Sequence, residues 1–124
     1  MSVLFQNIFA ELRAIMLEAA PGMTVAEDSP SNLTLKTHWI EARTGQPAWF
    51  GWIAIKKSYV AYHIMPLYTL PALEAAVPEG LATRRQGKTC FNVKKTDDAV
   101  FAQLRELTAL AARMEPDLRA AIGA

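Results

Sequence analysis

The sequence predicts an α+β domain: a mostly antiparallel β-sheet packed against an N-terminal and a C-terminal helix. Three observations carry this prediction. Apolar residues recur at three- and four-residue steps near both ends: Phe5, Ile8, Leu12, Ile15 and Ala19, then Val100, Phe101, Leu104, Leu107, Ala111 and Met114. Between them, several runs alternate with a period of two, the pattern of strands with one buried face. Two of these runs, 48–55 and 58–65, are separated only by Lys56 and Lys57, which predicts a hairpin and antiparallel pairing. At 124 residues the chain is the size of one domain, over 1–124. A chain of that size buries roughly two-thirds of the surface it exposes when unfolded, so a core can hold it without staples.

The elements follow in order. Residues 2–20 read as a helix with Ser2 as its N-cap, closed by Pro21 and Gly22. A short edge strand fits 23–27, and Asp28, Ser29, Pro30, Ser31 and Asn32 are turn residues. In 33–40, Leu33, Leu35, Thr37 and Trp39 face one way and Thr34, Lys36 and His38 the other. Residues 42–47 form a loop built on Gly45 and Pro47. The run 48–55 is apolar on both faces, which suits a central strand covered on two sides. In 58–65, Tyr59, Ala61, His63 and Met65 share one face and Val60, Tyr62 and Ile64 the other; Pro66 ends the ladder because it has no N–H to donate. Pro71 opens a short helix to residue 77, closed by Pro78 and Gly80. The last strand spans 88–94, with Thr89, Phe91 and Val93 opposite Cys90 and Asn92. Asp97 and Asp98 start the long C-terminal helix, where carboxylates favour the positive end, and Pro116 begins a final short one.

Charge is unevenly laid out although the net is only +1. Residues 1–41 hold two basic and five acidic side chains, and residues 97–124 hold three and five. The middle holds Arg43, Lys56, Lys57, Arg84, Arg85, Lys88, Lys94 and Lys95 against Glu74 and Glu79. A basic sheet region between acidic flanks fits either a solvated surface, an anion-binding face, or a self-complementary one that would make a homodimer. The single cysteine, Cys90, rules out a disulfide within the chain and a Cys-rich structural zinc site. The N-terminal run has no basic start and is interrupted by Glu11, Arg13 and Glu18, unlike a signal peptide. No run is long and apolar enough to span a bilayer. The expectation is a cytoplasmic protein with no membrane partner.

From residue 56 onward the chain resembles a known family. KKSYVAYHIMPLY at 56–68, followed by QGKTCFNVKK at 86–95, is similar to the YdhG-like family of small bacterial domains, in part described as frataxin-like iron chaperones. Ile64-Met65-Pro66, Gly87-Lys88-Thr89-Cys90 and Asp97-Asp98 occupy the places of the family's apolar-Pro step, Gly-Lys-Ser/Thr-Cys strand and acidic turn. The resemblance covers roughly the last two-thirds of the chain and implies a helix–sheet–helix sandwich, a cytoplasmic location and iron as a ligand. The residues themselves lend iron little support: hard cations want clustered oxygen ligands, and only Glu27-Asp28 and Asp97-Asp98 are adjacent.

Other chemistries are weighed residue by residue. Gly87-Lys88-Thr89 resembles the end of a P-loop, but Ala82 stands where that signature needs glycine, and strand residues follow. His38, His63 and Cys90 lie on three strands without ligand spacing, and fit core or surface roles better than a metal site. Cys90 as a nucleophile would need a depressed pKa. Trp39, Trp49, Trp52, Tyr59 and Tyr62 fit a core between sheet and helices better than a base-stacking surface, and nucleic acid is disfavoured by an isoelectric point near 7.9. The sequence therefore favours a non-enzymatic protein binding a small anionic ligand or a metal. The candidate ligand residues are Lys56, Lys57, His63, Arg84, Lys88 and Cys90. The alternative is a protein–protein interaction or homo-oligomerisation domain.

Overall fold

The structure is a computed structural model that describes residues 2–123. Helix α1 (Val3–Ala19) leads into strands β1 (Thr24–Ser29), β2 (Asn32–Ile40), β3 (Pro47–Ile55) and β4 (Val60–Ile64). A 3₁₀ turn (Met65–Tyr68) and two short helices, α2 (Pro71–Ala75) and α3 (Glu79–Ala82), follow. Strands β5 (Arg85–Gln86) and β6 (Cys90–Val93) precede helices α4 (Asp98–Arg113) and α5 (Glu115–Ile122). The fold is α+β: a six-stranded antiparallel sheet of order β1-β2-β3-β4-β6-β5 beside N- and C-terminal helices.

Local chemistry places the helix ends. Ser2 Oγ accepts from the Phe5 amide at 3.0 Å, and Asp97 accepts from the amides of Ala99 and Val100 at 3.1 and 3.2 Å. Their apolar stripes, Ile8, Leu12 and Met16 in α1 and Leu104, Leu107 and Ala111 in α4, pack on one face of the sheet. That face presents Leu33, Ile53, Tyr62 and Phe91 as a single cross-strand row. Tyr62 is fully buried there and donates to the Thr108 hydroxyl of α4 at 2.6 Å, while Thr108 donates in turn to the Leu104 carbonyl at 2.7 Å.

Several expectations are corrected. The edge strand expected at 23–27 is present as β1 (Thr24–Ser29), the sheet has one further edge strand, the two-residue β5, and the last strand, Cys90–Val93, is shorter than the run 88–94, with Gly87 (φ +68) in the turn before it. Residues 79–82 form a helix where Pro78 and Gly80 were expected to end one; Pro78 instead stands at its N-cap, in extended geometry.

The most consequential correction concerns β3, which is not covered on two sides. Leu35 pairs with Gly51 but Lys36 with Trp49, so β3 carries one extra residue, Phe50, at that point. The bulge reverses the alternation. Ala48, Phe50, Gly51 and Ile53 are all buried, whereas Trp49 and Trp52, three residues apart, share the face opposite α1 and α4. The outward tryptophans made the strand look apolar on both sides.

At Gly51 the helix α1 side chain Met16 and the β4 backbone both lie close to β3. A Cβ at this position would lie 2.8 Å from the His63 carbonyl oxygen and 2.8 Å from the end of the Met16 side chain. Met16 can rotate away, but the β4 backbone cannot. Gly51→Ala is expected to cost about 1–3 kcal/mol, visible as a lowered urea midpoint with an unchanged slope. An unchanged midpoint would show that β3 and β4 can separate at this point.

Candidate functional site: the uncovered face of the sheet

Pairing register builds the face opposite the helices. One row runs Glu27–Thr34–Trp52–His63–Cys90–Gln86 across β1, β2, β3, β4, β6 and β5. Neighbouring positions add Ala54, Ala61 and Asn92 on one side and Lys36 with Trp49 on the other. At the centre, the Trp52 and His63 rings stack with centroids 3.6 Å apart and planes 12° from parallel. Lys56 Nζ lies 5.6 Å from the Trp52 centroid and Lys36 Nζ 5.1 Å from that of Trp49. Such cation–π contacts hold an ammonium over a ring without neutralising it.

The polar groups of this face are linked. His63 Nδ1 meets Thr89 Oγ1 at 3.1 Å, Cys90 Sγ donates to Asn92 Oδ1 at 3.3 Å, and Asn92 donates to Gln86 Oε1 at 2.8 Å. Burial, reinforced by the Lys56 charge, pushes His63 down to about 4, so its ring is neutral at pH 7. Burial raises Cys90 above the ordinary thiol value, outweighing the opposing hydrogen bond from the Tyr62 backbone and the Lys56 charge. That is the wrong direction for a thiolate nucleophile. What remains is a neutral aromatic and amide surface with ammonium groups standing over it.

Of the six predicted ligand residues, Lys56, His63 and Cys90 come together on this face, with Lys57 in the adjoining β3–β4 turn. Lys88 lies beyond Thr89, its Nζ 5.5 Å from the Tyr68 centroid. Arg84 does not join them as a free cation, because it pairs with Asp97 at 3.2 Å. Arg85 is likewise engaged, donating twice to Glu74 at 2.5 and 2.6 Å. Among the described residues no carboxylate pairs with Lys36, Lys56 or Lys88. Trp39 and Tyr62 fill the core as expected; Trp49, 44% exposed, and Trp52 do not.

Sequence reasoning also missed a cleft of about 640 Å³ at the end of β3, bordered by the 3₁₀ turn. Trp49, Met65, Pro66, Tyr68, Leu118 and Ile122 supply its apolar walls, and Glu41, Arg43, Thr44, Gln46 and Thr69 its polar ones. Tyr68 is 70% exposed. These residues come from segments far apart in the chain, joined where Glu41 bridges to Gly123.

The donor set does not fit iron. Among the described residues no three His, Cys, Asp or Glu side chains converge. Asp28 is held by Arg13 through contacts of 2.6 and 3.0 Å, which keeps its carboxyl below the usual range, and Asp97 caps α4. His38 is engaged instead with the Gly22 carbonyl and the Thr24 hydroxyl. No family model matches the chain, and neither does a curated protein or a solved structure.

The His63 environment predicts a pH dependence. Between about pH 6.5 and 4 the unfolded chain takes up a proton at this residue and the folded one does not. His63 therefore contributes stability that is complete above pH 6.5 and is lost as the pH falls toward 4. Because the ring is partly solvated, the effect is expected to be about 1–2 kcal/mol. Urea titrations at pH 7 and pH 4.5 should show His63→Gln losing less stability than the parent across that interval. An equal loss would place the imidazole in water.

Proposed function

We propose that this chain is a non-enzymatic binding protein that holds a small anionic ligand on the uncovered face of its sheet. The observation that carries the reading is the pair of ammonium groups, Lys36 and Lys56, each standing over a tryptophan on that face and neither matched by a described carboxylate. Lys57 and Lys88 extend the positive rim at the two ends. Uncompensated cations on a low-dielectric aromatic floor attract anions and lose little when one arrives. The raised Cys90 thiol supports binding rather than covalent chemistry. The motifs at 64–66, 87–90 and 97–98 support a YdhG-like domain of cytoplasmic type, and with it iron as cargo. The dispersed donors make an anion the better choice.

The exposed Trp49 and Tyr68 favour one second reading, in which this face meets another protein or a second copy of the chain. Native mass spectrometry on protein purified without chelator separates these readings. A retained organic anion, absent from the Lys36→Glu/Lys56→Glu variant, is the expected result. A bare dimer that dissociates with added salt would transfer the assignment to self-association, and added mass matching iron would restore the metal reading.

A further inference from the structure

The ligand class follows from what the cationic rim adjoins. Inorganic anions are bound by convergent N–H donors, whereas the walls of the cleft are mainly apolar. Its two large rings, Trp49 and Tyr68, are exposed rather than stacked on core residues. At about 640 Å³ the space suits a ligand far larger than phosphate and lies within the usual range for small-molecule clefts.

Cations adjoin this apolar space. Lys36 stands over Trp49 and Lys88 over Tyr68, so each aromatic wall carries its own ammonium group. Arg43 lines the same cleft with a side chain that is 86% exposed. Glu41, the carboxylate that also lines it, lies 3.4 Å from Arg43 and offsets one of the three cations. Lys36 and Lys88 do not line the cleft themselves but stand over two of its lining rings, so the charge adjoining its mainly apolar walls is net positive.

We infer that the cleft takes an amphipathic carboxylate: a flat apolar body packed against Trp49 and Tyr68, with its carboxylate drawn to the cations that adjoin these walls, Arg43 in the lining and Lys36 and Lys88 over the two rings. Burying an aromatic body contributes most of the affinity and the rim charge selects the anion over a neutral molecule of the same shape. This inference rests on the anion-binding reading of the uncovered face and adds the apolar half of the ligand to it.

The test is calorimetric titration of the full chain with four probes: naphthalene-1-acetate, its neutral amide, acetate and inorganic phosphate. The expected result is that naphthalene-1-acetate binds at least tenfold more tightly than each of the other three. Trp49→Ala should abolish that preference, with the fold checked by circular dichroism; Tyr68→Ala provides a second exposed variant. Should acetate and phosphate bind as well as the aryl acid, and independently of Trp49, the ligand class is overturned while the anion-binding face stands. Equal binding of the neutral amide would leave an apolar cleft and overturn the role of the rim charges. If none of the four binds, both readings fall.

Discussion

Tyr62→Ala is expected to destabilise the domain by about 3–5 kcal/mol, enough to leave so small a fold marginal at room temperature. Tyr62 has no exposed surface and lies in the cross-strand row Leu33–Ile53–Tyr62–Phe91, against helix α4. Deleting the ring opens a cavity that β-strands on both sides cannot collapse to fill. The hydroxyl is a smaller part of the effect. Tyr62→Phe should cost about 1 kcal/mol, because Thr108 keeps its own bond to the Leu104 carbonyl. Thr108→Val should cost more than Tyr62→Phe, since it strands a buried phenol without an acceptor. Chemical denaturation of the three variants gives this order directly. Equal costs for Tyr62→Phe and Tyr62→Ala would mean that the hydrogen bond, and not the ring, joins sheet to helix.

The second large effect is expected in binding and not in stability. Reversing Lys36 and Lys56 to glutamate should weaken anion binding by about tenfold for each exchange. Both reversals remove an attraction and install a repulsion on the same face. The effect should shrink at high salt, because exposed charges are screened within a Debye length of about 8 Å at physiological ionic strength. Stability should change by less than about 0.5 kcal/mol, as for other surface substitutions. Titrations of parent and doubly reversed protein at low and high salt provide the comparison. An undiminished affinity would remove these lysines from the site.

The two helices were legible because their apolar stripes hold a strict period and their caps are unambiguous. Strand parity was also legible: it placed His63 with Ala61 on one face of β4, and Cys90 with Asn92 on one face of β6. What parity does not reveal is strand order. His63 and Cys90 become neighbours because β4 pairs with β6 across an intervening helical segment and β5. The bulge at Phe50 was likewise hidden. Alternation through an unbroken strand puts Trp49 and Trp52 on opposite faces, and only an extra residue between them brings both to the same side. With both tryptophans assigned to a two-sided core, the uncovered face could not be seen. The cleft was beyond reach for a different reason: its walls come from residues 41–49, 65–69 and 118–122, and no local pattern marks residues that meet only through tertiary packing.

The three tryptophans supply the most direct measurement on the binding face. Their indole N–H signals report separately on the core, through Trp39 at 6% exposure, and on the uncovered face, through Trp49 and Trp52. In ¹H–¹⁵N spectra recorded during titration with naphthalene-1-acetate, the Trp49 signal should move in a saturable way while that of Trp39 stays fixed. A stationary Trp49 signal, or a Trp39 shift as large as that of Trp49, would contradict an anion site on this side of the sheet.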